Sequence, residues 1–110
     1  MFDTARLLHF TRSLEHFSAR LEELLERAHL HQSPLPPELL DEIAFTTGEL
    51  MLVLTNHSSE DVSIREALSH AKNLRERLRV DQPQGEQMAK DCDSFSQEIA
   101  QLLINSKKAA

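Results

Sequence analysis

Apolar residues recur along this chain at alternating spacings of three and four. Leu7, Phe10, Leu14, Phe17, Leu21, Leu24 and Ala28 follow that rhythm without interruption, which puts them on one stripe of an α-helix. Leu8 and Leu25 widen the stripe, while Arg6, Arg12, Glu15, Arg20, Glu22, Glu23, Glu26 and Arg27 fill the other positions. The pattern predicts a first helix over roughly 3–31, with Asp3 or Thr4 as N-cap. At 1.5 Å per residue it is about 40 Å long, enough to overhang its neighbours or pair with a second subunit.

Gln32-Ser33-Pro34-Leu35-Pro36-Pro37 breaks the rhythm, because proline removes amide donors and disfavours helix in the residue before it. Pro37 suits the first position of a second helix over roughly 37–56. Its core seam reads Leu40, Ile43, Thr47, Leu50 and Leu54, widened by Leu39 and Val53. After Asn56-His57-Ser58-Ser59, a third helix is predicted over roughly 60–79 with seam Ile64, Ala67, Ala71, Leu74 and Leu78, and Leu68 alongside. Ser58 with Asp61, or Ser63 with Glu66, stands at capping-box spacing for its start. Asp81-Gln82-Pro83-Gln84-Gly85 forms the last break. A fourth helix over roughly 84–106 carries Met88, Cys92, Phe95, Ile99 and Leu102, with Leu103 beside them. The tail Lys107-Lys108-Ala109-Ala110 is expected to fray.

Four matched seams joined by short connections predict an all-α fold: an antiparallel up-down four-helix bundle with a long N-terminal helix, in one domain spanning 1–110. A three-helix core with the first helix reaching out to a partner is the structural alternative.

The second helix has more apolar residues than one seam needs. Phe45, Gly48, Met51 and Leu52 lie off its core stripe, and Phe45 and Leu52, seven apart, share a line. A mid-helix glycine costs about 1 kcal/mol relative to alanine, so either something approaches closely at Gly48 or the cost is simply tolerated. The charges on this helix are all acidic: Glu38, Asp41, Glu42 and Glu49. Surplus apolar surface either marks partner binding or is buried at the centre of the bundle.

Composition narrows the function classes. A chain of 110 residues with 40% hydrophobic content supports a core without metal or disulfide. Its formal charge of −6 opposes generic binding to nucleic acid or anionic membranes. The single cysteine, Cys92, has no internal partner, and with no secretory signal the expected compartment is the cytoplasm. No apolar run approaches the roughly 20 residues of a membrane span.

Candidate chemistry is sparse. The six histidines show no metal-ligand spacing: His9 and His16 are about 10 Å apart along a helix, and His29 and His31 point differently. Cys92 falls on a core seam, where a thiol acts as a small hydrophobe. Arg65, Lys72, Arg75 and Arg79 make a basic stripe on the third helix, suited to phosphate contacts, but Glu66 and Glu76 interrupt it.

His70 sits in Ser69-His70-Ala71-Lys72-Asn73-Leu74. An exposed histidine on a four-helix bundle of this size resembles the histidine phosphotransfer domain. There the histidine is followed by a leucine, a lysine and then a glycine or other small residue. Lys72 keeps the lysine position; Ala71 replaces the leucine and Asn73 the glycine. The resemblance covers about four residues and the architecture, and implies phosphoryl acceptance on His70.

The reading that follows is a small acidic, non-enzymatic protein–protein interaction module of adaptor, secretion-chaperone or inhibitor type. It would bind another protein, or itself as a homodimer, by helix–helix packing through Phe45, Gly48, Met51 and Leu52. No catalytic residue, metal, cofactor, membrane or small-molecule substrate is expected, and nucleic acid is disfavoured. The alternatives are phosphotransfer on His70 and nucleic-acid binding through the basic stripe.

Overall fold

An amphipathic helix of this length is stable only when its apolar stripe is covered, and four such helices cover one another here. A computed structural model of the chain describes residues 4–30, 36–59, 61–80 and 86–109, with the backbone alone at 79, 80, 86–89 and 109. The elements are α1 (Thr4–His29), α2 (Pro37–Asn56), α3 (Val62–Val80) and α4 (Glu86–Ala109). Among the described residues there is no strand. Packing is cyclic: among the described residues the backbone of α1 runs close to those of α2 and α4, and the backbone of α3 close to those of α2 and α4, but not across either diagonal. The result is a four-helix bundle 44 Å along its longest axis and about half that across.

The core is built from the predicted seams, except that Leu39, buried, takes the place expected of Leu40, which is only half-buried. Leu14, Leu21 and Leu24 of α1, Ile43, Leu50 and Leu54 of α2, Ala67 and Ala71 of α3, and Ile99 of α4 are at most 1% exposed. Phe17, Ala28, Val53, Leu68, Leu78 and Leu103 pack against this cluster from partly buried positions. The seams also miss residues. Ser18, Thr46, Ser96 and Ser106 are buried although they are polar. Helices satisfy such hydroxyls locally: Thr47 Oγ1 donates to the Ile43 carbonyl at 2.8 Å, and Ser106 Oγ to the Leu103 carbonyl at 2.9 Å. Leu8, expected to widen the first seam, is half exposed instead.

The helix ends refine the expected boundaries. Pro37 opens α2, and the Pro36 carbonyl accepts from the amides of Leu39 and Leu40. Neither serine–acid pair forms the expected box at α3. Asp61 itself caps the helix: its carboxylate accepts from the Ser63 amide at 2.7 Å, and its carbonyl accepts from Arg65. The tail does not fray after Ser106, since α4 continues to Ala109 and Lys107 lies 3.5 Å from Glu15 on α1. With 26 residues in α1 and 24 in α4, the first helix hardly exceeds the fourth. Asp3, His31, Pro34 and the Asp81–Gly85 break lie outside the described residues, as do the side chains of Arg79 and Met88.

Polar contacts fix the pairing of helices. Arg6 of α1 donates to the Asn56 carbonyl at the end of α2, where carbonyls are unpaired and the helix dipole is negative. Arg20 and Arg27 reach Glu42 at 2.9 and 3.5 Å. On the opposite side of α1, Thr11 bonds Ser106 and His29 meets Asp93.

Truncating a side chain in this core leaves a cavity. Leu14→Ala should cost about 2–5 kcal/mol in urea unfolding, whereas Leu8→Ala should stay within about 0.5 kcal/mol of the parent.

Candidate functional site

α2 is apolar nearly all round, so its rotation in the bundle decides which apolar residues reach solvent. Leu39, Ile43, Thr46, Thr47, Leu50 and Leu54 are buried, which aims the opposite line outward. Phe45 and Leu52 occupy that line and are 68% and 60% exposed. Two helical turns separate them by about 10.5 Å. Other exposed apolar side chains, among them Leu30, Val62 and Ile104, are scattered over other elements, as is ordinary for a protein surface. Phe45 and Leu52 differ by sharing one stripe of one helix.

Gly48 lies between them, toward α3. A Cβ built there would sit 3.3 Å from Nε and 3.5 Å from Cζ of Arg75. The arginine of α3 thus lies across the helix at the point where α2 has no side chain, and this is the close approach that the glycine permits. Met51 is the exception among the expected binding residues: it turns inward and packs against the core cluster. Its stripe lies on the α3-facing side of α2, away from Phe45 and Leu52.

Acidic side chains border the outward line. Glu38 and Asp41 are exposed near its start, and Glu49 lies between Phe45 and Leu52 along the chain. Among the described residues these three make no ion pair, in contrast to Glu42, which Arg20 and Arg27 hold against α1.

The second feature is a cleft of about 410 Å³ between α3 and α4. Leu74 and Phe95 contribute its apolar lining. Two polar pairs cross it: His70 Nδ1 lies 2.8 Å from Glu98, and Arg77 pairs with Asp91. His70 is exposed, as the phosphotransfer resemblance requires, but a carboxylate already holds its ring. A phosphoryl group arriving there would meet Glu98 and Asp91, and like charges repel.

The basic stripe divides in the structure. Arg65 and Lys72 are exposed, Arg75 folds over Gly48, and the side chain of Arg79 lies outside the described residues. Sequence periodicity also missed His57, which is buried at the end of α2 with its ring 4.8 Å from that of Phe10. Its place in a polar break gave no signal, because periodicity is read only within helices. Among the described residues no group of three or more His, Cys, Asp or Glu side chains is arranged to hold a metal ion, and no helix is long and apolar enough to cross a membrane.

Cys92 is buried on α4. Burial raises its thiol pKa from the ordinary 9.0 to about 12, helped by the negative charges of Asp93 and Asp91 and opposed by Arg77. The thiol is therefore held in its protonated, weakly nucleophilic form. None of the protein-family profiles, curated proteins or solved structures compared with the chain matches it.

Two expectations follow from this geometry. Gly48→Ala should raise stability by up to about 1 kcal/mol, because alanine favours helix and the exposed end of Arg75 can move by a few tenths of an ångström; thermal unfolding reads the sign. Cys92 should resist alkylation at pH 8 in the folded protein and react on denaturation. Because its folded pKa is raised, the stability it contributes is complete below pH 9 and is lost as pH rises from 9.0 toward about 12.

Proposed function

We propose that this chain is a non-enzymatic protein-interaction module that engages its partner by packing a helix against the outer face of α2. The observation that carries the reading is the shared exposure of Phe45 and Leu52 on one helical line. Leaving two large apolar side chains in water forgoes the burial energy that either would gain at an interface, about 1.5–3 kcal/mol each when fully covered. Apolar anchors at i and i+7 match the repeat by which one helix reads another. Gly48 lies near the line between them with Arg75 of α3 over it, so a partner helix would meet that guanidinium at the edge of the face.

In this reading the bundle is an up-down antiparallel scaffold. The meeting of Arg6 with Asn56, and of Arg20 and Arg27 with Glu42, supports opposed directions for α1 and α2. Its role is to hold α2 rigid while one face stays open. Adaptors, secretion chaperones and inhibitors all work by presenting such a face. Met51 belongs to the support of the helix and not to its contact surface.

Capture from lysate of the cell that makes the protein tests this reading. Wild type should retain a partner at fixed stoichiometry. Phe45→Asp and Leu52→Asp should each weaken retention by at least about tenfold, a hot-spot effect, while helical circular dichroism and the melting temperature stay close to wild type. Retention unchanged by both substitutions would place the interface elsewhere.

A further inference from the structure

The acidic border of the α2 face identifies what kind of helix it takes. We infer that the partner segment is a basic amphipathic helix, its apolar seam on Phe45 and Leu52 and its lysines or arginines against Glu38, Asp41 and Glu49. This inference rests on the interaction reading above and names the partner's chemistry.

Three observations carry it. First, Phe45 and Leu52 are exposed on one line, so a seam of period seven can cover both. Second, every charge on α2 is negative. Glu42 is consumed by Arg20 and Arg27, whereas Glu38, Asp41 and Glu49 make no ion pair among the described residues. Glu38 continues the line of Phe45 and Leu52 seven residues earlier, and Asp41 and Glu49 flank that line, where charges choose a partner helix. Third, the two borders differ at the middle of the face. Glu49 stands on one side, and Arg75, lying over Gly48, stands on the other. A basic helix is therefore oriented, with its cations toward the Glu49 edge and away from Arg75.

The same charges argue against a second copy of this chain. A two-fold pairing places the same surface on both partners. With the two α2 helices antiparallel across Phe45 and Leu52, Glu49 meets Glu49 near the axis. With them parallel, Glu38, on the line of Phe45 and Leu52, meets its own copy. Either arrangement brings unpaired like charges together as the apolar seam closes, which disfavours it.

The test uses the full chain and synthetic helical peptides of about three heptads. The peptides share one leucine–isoleucine seam and carry flanking residues that are all lysine and arginine, all uncharged, or all glutamate. Binding is read by fluorescence anisotropy in about 0.05 M and 0.5 M salt, where screening lengths differ severalfold. The basic peptide should bind at least about tenfold tighter than the uncharged one at low salt, and lose most of that advantage at high salt. The glutamate peptide should not bind. Leu52→Asp should abolish binding of the basic peptide. The triple variant Glu38→Gln, Asp41→Asn, Glu49→Gln should keep the uncharged peptide and lose the preference for the basic one.

A charge preference that survives the triple variant overturns the inference, as does equal binding of all three peptides or binding of none. Sedimentation showing a dimer that Leu52→Asp dissolves also overturns it, in favour of a second copy. These outcomes leave the α2 face as an interface. Basic-peptide binding that ignores both Phe45→Asp and Leu52→Asp removes the face itself. Circular dichroism on each variant separates loss of binding from loss of fold.

Discussion

Close approach between α2 and α3 is the constraint on which the rest of this bundle depends. α3 meets the core through Ile64, Ala67, Ala71 and Leu74, and the two in the middle are small and fully buried. Small residues there let the neighbouring backbone come near, because interiors pack without voids. α2 does come near, and the cost appears one layer out. The long side chain of Arg75 must leave the α2–α3 boundary over α2, and Gly48 is where it passes. A glycine that weakens an isolated helix thus accommodates a tight pair of helices. α3 packs on one side of α2, and on the other Arg20 and Arg27 of α1 reach Glu42. Phe45 and Leu52 are held outward by the packing of their neighbours.

The sequence carried most of the fold because its periodicity is strong. The heptad run from Leu7 to Ala28 needs no tertiary information, and Pro37 at the first position of α2 suits a helix start by covalent geometry alone. Buried hydroxyls were harder. Ser18, Thr46, Ser96 and Ser106 read as polar, yet a hydroxyl that can bond its own helix carries little penalty for burial, so polarity and exposure part company. The cap on α3 shows a similar ambiguity: Asp61 at the helix start does alone what either serine–acid pair might have done.

The candidate site was legible in part, and the reason is geometric. A helix that is apolar all round has no signal for its own rotation. Spacing placed Phe45 and Leu52 on one line but left open whether that line faced the core. The useful signal was the charge beside them: Glu38 and Glu49 lie on the same side as Phe45, and unpaired carboxylates avoid the interior. Met51, flexible and of middling size, carried no such marker, and it fills a gap at the edge of the core.

The cleft between α3 and α4 has a consequence for how the molecule breathes. At this boundary two polar pairs, His70 with Glu98 and Arg77 with Asp91, span a space above Leu74 and Phe95. Pairs that water can reach hold weakly, so this edge is a candidate for local opening below the cost of global unfolding. Cys92 sits one turn before Phe95 and next to Asp91. If that edge opens locally, the rate at which this buried thiol is modified in the folded protein would count the openings.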